Sequence, residues 1–195
     1  MDDIIDLSAW LRLVVEIGVV MLIIYSTDSS INSFHGLWGI ETFSNAKAIP
    51  LTIFAAVGII NALNLIDGVN GLSSGYSIMA SIVFGSYFYL SGNIAMLILA
   101  SVSVGALIPF FFHNVFGKSS KMFIGDGGTL VMGVVMSTFV ISTLSSVSPR
   151  ISSLSESFGL VPFTLAVMSI PVFDTLRVML CRIFKGISPF HPDKT

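Results

Sequence analysis

Long apolar stretches alternate with short polar ones along the whole chain. A membrane-spanning helix needs about 20 mostly apolar residues, and six stretches approach that requirement. They are Ala9–Ser26, Ala46–Leu65, Tyr76–Leu90, Ile94–Phe112, Leu130–Val147 and Phe158–Leu180. The third is short, and the "SGN" at residues 91–93 predicts a tight turn before the fourth. The pattern predicts an all-α fold, a polytopic transmembrane helical bundle with about six spans, as one membrane-embedded domain over residues 1–195.

Composition supports a membrane location. The 195 residues are 54% hydrophobic and only 10% charged, whereas soluble domains carry about 25% charged residues. The bilayer is therefore the predicted environment, and nothing in the charge pattern indicates a nucleic-acid partner. The single Cys181 excludes an internal disulfide. The N-terminal "MDDIIDLSAW" is acidic where a signal peptide requires basic residues, so no signal peptide is predicted.

The basic residues predict which way the chain crosses the bilayer. With six spans the loops alternate between two sides, and Lys and Arg are enriched on the cytoplasmic side of membrane proteins. One side carries only Lys47 and Arg150. The other side holds most of the cations, namely Lys118, Lys121, Arg177, Arg182, Lys185 and Lys194. That second side is predicted to face the cytoplasm, and the aspartate motifs lie on it as well.

Aspartates recur at the predicted cytoplasmic ends of the spans. Asp2, Asp3 and Asp6 have the spacing that lets carboxylates share one helix face, although acidic residues at a helix start are also purely stabilising. Asp67 directly follows the second span beside glycines, which permit close backbone approach, and Asp126 repeats this arrangement before the fifth. Each of these two fits either a capped helix start or a phosphate-binding turn, and both interpretations remain open.

Several carboxylates on one face favour a hard cation. Mg²⁺ prefers oxygen ligands and is usually held by one or two carboxylates together with substrate phosphates. Asp174 lies three residues before Arg177, and a local ion pair is the favoured interpretation there. The sequence has no Cys/His pattern typical of zinc. No metal role is assigned to the three histidines, His35, His113 and His191.

Four ordered motifs carry a resemblance to a known family. "DDIIDL", "NALNLIDGVNGLSSG", "FIGDGGTLVMG" and "PVFDTLRVMLCRIFKGISPFHPDKT" together resemble the polyprenyl-phosphate N-acetylhexosamine-1-phosphate transferases. The residues of these motifs are most similar to those of the WecA/TagO-like branch, which uses UDP-N-acetylglucosamine. The branch that acts on UDP-MurNAc-pentapeptide usually has Thr at the position of Ile66. The resemblance implies a multi-pass enzyme of the bacterial inner membrane that acts at the cytoplasmic face.

The resemblance also implies a reaction, partners and site residues. In that reaction an N-acetylhexosamine 1-phosphate passes from a UDP-sugar to undecaprenyl phosphate, which initiates the synthesis of a cell-envelope polysaccharide. The metal cofactor is Mg²⁺, with Mn²⁺ as the alternative. The partner set also includes a possible second copy of the chain in a homodimer. Asp126 corresponds to the most direct metal ligand, and Asp67 assists at the metal–pyrophosphate site. The remaining assignments are Asp2 or Asp3 orienting or deprotonating the lipid phosphate, Asn61 and Asn64 shaping the nucleotide site, and Phe123 stacking on the uracil.

Two departures from the family pattern leave other hypotheses open. Members have about eleven spans and a histidine-rich HxHH loop, so the chain resembles an internal portion of such an enzyme. Asn70 stands where the family commonly has aspartate. The first alternative is therefore a catalytically inactive or split membrane piece. A transporter is the second, although its carboxylates would be expected near the bilayer midplane. The aspartate spacing of a CDP-alcohol phosphotransferase is not found.

Overall fold

The chain folds as an all-α bundle, as the apolar pattern predicts. The computed structural model describes residues 9–39, 42, 44–68, 71–117, 124–145, 159–184 and 186. In these ranges the only extended pairing is an isolated bridge between Ser33 and Thr42. The α-helices in the same ranges are α1 (Ala9–Thr27), α2 (Asn45–Leu65), α3 (Leu72–Ser91), α4 (Ile94–Phe116), α5 (Gly125–Leu144), α6 (Leu160–Val167) and α7 (Ser169–Phe184).

Four of the predicted spans correspond to described helices that are both long and apolar enough to cross a bilayer, and a fifth corresponds to a bent pair of helices. Helices α1, α2, α4 and α5 qualify singly, and α6 with α7 qualifies as a pair bent by 65°. Helix α3 has 20 residues but is not among the described helices that meet the apolarity requirement. Its polar positions face inward, because its serines at 73, 74, 77 and 81 are all buried. The described helices therefore give four apolar spans, or five if the bent pair counts as one, and the third predicted span is a long helix with a polar inner face.

Two helices begin earlier than the apolar pattern predicts. Helix α3 begins at Leu72 rather than Tyr76, and α5 begins at Gly125 rather than Leu130. Apart from Leu72, the added residues are glycines or small polar residues, which hydropathy assigns to loops. The predicted turn between α3 and α4 is confirmed: Gly92 adopts φ 75° at the end of α3, and the Asn93 side chain caps α4 by accepting a hydrogen bond from the Met96 amide.

The core forms where α2 packs on α5 and α3 on α4. Gly133 of α5 lets the two helices of the first pair approach closely, since a Cβ there would lie 2.7 Å from the Cα atom of Ile60. The ring of Phe84 lies 5.6 Å from that of Phe139 and 5.8 Å from that of Phe163, which joins α3 to α5 and α6. These contacts hold α2 and α5 side by side, and the candidate site lies at their adjoining ends.

The bend between α6 and α7 has a specific cause. Pro171 has no amide hydrogen, so the carbonyl of Val167 cannot be bonded in the normal helical manner. The hydroxyl of Tyr76, on α3, donates to this carbonyl at 2.9 Å instead. Tyr76 is 4% exposed, so the bond is made inside the bundle. Helix α3 thereby satisfies the backbone at the point where the last span bends.

Candidate active site

The two aspartate motifs meet where α2 ends and α5 begins. After α2 the chain forms a single 3₁₀ turn, Ile66–Gly68, that carries Asp67. One carboxylate oxygen of Asp67 accepts a hydrogen bond from the backbone amide of Gly125 at 3.2 Å. Its other oxygen accepts a hydrogen bond from the hydroxyl of Ser73 at the start of α3. Residues 58 positions apart are therefore joined directly at the predicted cytoplasmic ends of their helices.

Asn64 forms a second connection between the motifs. Its side-chain nitrogen donates to a carboxylate oxygen of Asp126 at 3.2 Å and to the hydroxyl oxygen of Thr129 at 2.8 Å. The Thr129 hydroxyl itself donates to backbone carbonyls one turn back, those of Gly125 and Asp126. Because that proton is engaged, the Thr129 oxygen acts as acceptor toward Asn64. Both amide hydrogens of Asn64 are thus used to hold the first turn of α5.

The first turn of α5 is favourable for negative charge. A helix N-terminus carries a partial positive charge and several free amide groups. Asp67 accepts from the first of these amides, and Asp126 belongs to the same turn. The described residues leave the space beside Gly125 and Gly127 open, since a Cβ at either position would meet none of their atoms within 4 Å. A phosphate could therefore approach the backbone at these two glycines.

Two of the glycines after Asp67, Gly71 and Gly75, lie against α4. A Cβ on Gly71 would overlap a γ-methyl of Val115, and a Cβ on Gly75 would lie 2.9 Å from the ring of Phe111. In the direction of a Cβ both positions are filled by α4, so these two glycines allow close helix packing. The interpretation of Asp67 as the N-cap of α3 is also wrong, since the capping residue of that helix is Gly71. Asp67 instead bonds to the start of α5.

Asn61 lies apart from the aspartates, in a cluster that sequence reasoning missed. Its side-chain nitrogen donates to a carboxylate oxygen of Glu16 at 2.6 Å and to the carbonyl of Val57 at 3.0 Å. The other carboxylate oxygen of Glu16 pairs with Arg12 at 3.1 Å. A signal was present, because an acidic residue inside an apolar span, four residues after an arginine, is unusual. Ser73 and Thr129 were missed too, and their small hydroxyls give no comparable signal.

The other residues singled out in the sequence either are paired elsewhere or lie outside the described residues. Asp174 pairs with Arg177 through N–O distances of 2.8 and 3.1 Å, so the predicted local ion pair is confirmed. Four further candidates lie outside the described residues: Asp2, Asp3, Asn70 and Phe123.

The donor set suits Mg²⁺ better than a softer metal. Within the described ranges no three His, Cys, Asp or Glu side chains come together. Asp67 and Asp126 provide two carboxylates beside neutral oxygen and amide groups, which matches the few protein ligands that Mg²⁺ takes while keeping waters for substrate phosphates to replace. These two aspartates are the described residues that would hold such an ion.

Comparisons with known proteins find one family. The family model described as Glycosyl transferase family 4 matches residues 1–144. The undecaprenyl-phosphate alpha-N-acetylglucosaminyl 1-phosphate transferase of Escherichia coli (strain K12) is 28% identical over 199 residues, covering 100% of this chain and 52% of that protein. The probable undecaprenyl-phosphate N-acetylglucosaminyl 1-phosphate transferase of Bacillus subtilis (strain 168) is 31% identical over 198 residues, with the same coverage. The chain spans about half the length of these curated relatives.

Proposed function

Because the chain belongs to glycosyl transferase family 4, we propose that it takes part in transferring N-acetylglucosamine 1-phosphate, or a related N-acetylhexosamine 1-phosphate, from a UDP-sugar to undecaprenyl phosphate. The observation that carries the proposal is the group formed by Asp67, Asn64 and Asp126 at the start of α5. The relatives from Escherichia coli and Bacillus subtilis support it, since both are named for this transfer.

The proposed reaction is a phosphoryl transfer between two anions. An oxygen of the lipid phosphate attacks the β-phosphorus of the UDP-sugar and forms a new P–O bond. The bond from that phosphorus to the oxygen bridging the two phosphates breaks, and UMP leaves with the bridging oxygen. Mg²⁺, when bound, neutralises charge on the pyrophosphate. Catalysis in such a reaction depends mainly on positioning and electrostatics.

The described residues fit this task by being held in place before substrate binds. Asp67 is fixed from two sides, by Ser73 and by the Gly125 amide. Asp126 is fixed by Asn64, which is itself held by Thr129. Side chains locked by such supporting bonds keep a productive geometry without reorganisation during the reaction. In the same proposal Asp2 or Asp3 orients or deprotonates the lipid phosphate.

The membrane provides the acceptor. Undecaprenyl phosphate has its head group at the bilayer surface, and the cluster lies at the ends of apolar helices. The excess of Lys and Arg on this side favours the cytoplasmic face, where UDP-sugars are available. The UDP-sugar donor, the release of UMP and the inner-membrane location all belong to the proposal.

The test measures UMP release from UDP-N-acetylglucosamine in the presence of undecaprenyl phosphate and Mg²⁺. Two forms are assayed in parallel: membranes containing the chain, and a chimera in which the chain replaces the matching half of the Bacillus subtilis relative. Asp126→Asn and Asp67→Asn are expected to reduce transfer about 100-fold or more. Asp174→Asn is the matched control, because that carboxylate pairs with Arg177 and not with a residue of the cluster.

Each outcome of this test has a defined meaning. Transfer by either form, lost in both cluster variants and retained in the control, supports the proposal. Activity in the chimera alone means that the site needs the segments found in the longer relatives, which is the split-piece alternative. Full transfer after both cluster substitutions would exclude the proposed role of the aspartates.

A further inference from the structure

Glu16 is a buried acidic residue inside an apolar span. Its side chain is 5% exposed, and it is the eighth residue of α1, about 10 Å along the helix at 1.5 Å per residue. A carboxylate there is costly unless it is fully paired. Arg12 pairs with one of its oxygens at 3.1 Å, and Asn61 donates to the other at 2.6 Å. Helix α1 therefore reaches α2 through a specific polar contact.

The contact fixes which way the Asn61 amide faces. Its nitrogen lies 2.6 Å from a Glu16 carboxylate oxygen and 3.0 Å from the Val57 carbonyl oxygen. Both neighbours are acceptors, so a flipped amide would set oxygen against oxygen at short range. The two N–H groups of Asn61 are consequently occupied inside the protein. The side-chain oxygen is the atom left to accept a hydrogen bond from something else.

Asn61 and Asn64, the member of the aspartate cluster that lies on α2, share one face of that helix. Asn64 lies three residues further along, and side chains with this spacing are neighbours on a helix surface. Asn64 is similarly committed, with its nitrogen engaged by Asp126 and Thr129. The side-chain nitrogen of Asn61 is thus held by α1 and that of Asn64 by α5, which leaves both side-chain oxygens as the acceptors of these groups. Such a pair of acceptors is suited to a ligand that carries N–H groups.

We propose that Glu16 is a positioning residue for the donor substrate, which acts by holding the Asn61 carbonyl oxygen ready to accept an N–H of the UDP-sugar. The proposal rests on the proposed function. The N–H belongs either to the uracil ring or to the acetamido group of the sugar, since both have the same hydrogen-bonding chemistry. Arg12 has a different role: it balances the Glu16 charge and is itself partly exposed.

The test separates the acceptor oxygen of residue 16 from its charge. In Arg12→Gln/Glu16→Gln the ion pair is gone, but glutamine keeps one acceptor oxygen for the Asn61 nitrogen. In Arg12→Gln/Glu16→Leu the ion pair and the acceptor are both absent. Replacement of a buried ion pair by residues of similar volume is often well tolerated, so both variants are expected to fold. Glu16→Ala alone is avoided because it leaves Arg12 without its partner.

Binding of UDP-N-acetylglucosamine to the purified protein in detergent is measured by calorimetry, with UDP as a second ligand. Wild type and the Gln/Gln variant are expected to bind UDP-N-acetylglucosamine within about twofold of each other, whereas the Gln/Leu variant binds about tenfold more weakly. Adding Asn61→Ala to both variants is expected to abolish this difference, because Glu16 acts through Asn61. A loss seen with UDP as well identifies uracil as the N–H donor; a loss confined to the sugar nucleotide identifies the acetamido group.

A matched control comes from the same helix. Thr52 of α2 is fully buried and accepts a hydrogen bond from the Ile31 amide, at 2.8 Å, in the segment that follows α1. Thr52→Val removes a buried contact between α2 and the α1 side but lies nine residues before Asn61, about 13 Å along the helix. It is expected to lower thermal stability and leave donor affinity unchanged. If the wild type binds the donor and the Gln/Gln and Gln/Leu variants have equal donor affinity, the inference about Glu16 is overturned while the proposed function still stands. Absence of UDP-N-acetylglucosamine binding by the wild-type chain and by its chimera with the Bacillus subtilis relative overturns the proposed function as well.

Discussion

Replacing Gly71 with alanine tests why glycines surround Asp67. Gly71 has φ +75°, and an added Cβ would overlap a γ-methyl of Val115 and lie 3.4 Å from the ring of Phe111. The left-handed backbone costs a residue with a Cβ about 1–2 kcal/mol, and an extra methyl in a filled interior costs about 1–3 kcal/mol. Gly71→Ala is therefore expected to lower the free energy of unfolding by about 2–5 kcal/mol.

A second substitution separates the two contributions. Val115→Ala removes the methyl that the new Cβ would meet, while the backbone cost at position 71 remains. Val115 is 36% exposed, so its own truncation is expected to cost little. The double variant Gly71→Ala/Val115→Ala should recover the steric part of the lost free energy of unfolding. The coupling free energy between the two sites should be about 1–3 kcal/mol.

The assay is unfolding in mixed detergent micelles, followed by the helical circular dichroism signal during denaturant titration. Gly105→Ala is the control, because that residue lies in α4 like Val115 and an added Cβ would meet no atom of the described ranges within 4 Å. It is expected to be neutral or to stabilise the helix by up to about 1 kcal/mol. The packing explanation would be refuted by a Gly71→Ala variant as stable as the wild type, or by a loss that Val115→Ala does not relieve.

Two further predictions concern stability away from the site. Burial lowers the pKa of His35, and a hydrogen bond with the backbone of Leu144 opposes this shift. The folded state therefore binds fewer protons, and thermal stability should fall as the pH drops from 6.5 toward the lowered pKa. His35→Asn, which tolerates the φ of 48° at this position, should flatten the pH profile of melting temperature; an unchanged slope would contradict this. Tyr76→Phe should cost about 1–3 kcal/mol by leaving the Val167 carbonyl buried without a donor. The exposed Tyr89→Phe serves as control, and equal melting temperatures for the two variants would count against the bond.

Local sequence information was sufficient for several features. The turn at Gly92 and Asn93 was predictable because glycine and asparagine favour such conformations. The pairing of Asp174 with Arg177 was predictable because residues three apart are neighbours on a helix. Each of these features depends on residues close together in the chain.

The glycines and Glu16 required information that no local pattern contains. "NGLSSG" is compatible both with a ligand-binding turn and with close helix packing, and the position of Phe111 on α4 decides for packing. Glu16 was predictable only as an anomaly within an apolar span. Its partner Asn61, 45 residues away, became apparent only from the contact between α1 and α2.

By itself the sequence determined a bundle of apolar helices with Asp67 and Asp126 at helix ends predicted to face one side of the membrane. It could do so because hydropathy, and the alternation of successive loops between the two sides of the bilayer, follow from the order of residues along the chain. The tertiary structure decided which side chains meet there. In a membrane bundle most helix faces are apolar, so hydropathy does not reveal how each helix is rotated or which neighbour it contacts; small residues and interhelical hydrogen bonds set this instead. That is why Asn64 was found with Asp126 and Asn61 with Glu16 only once the helices were packed together.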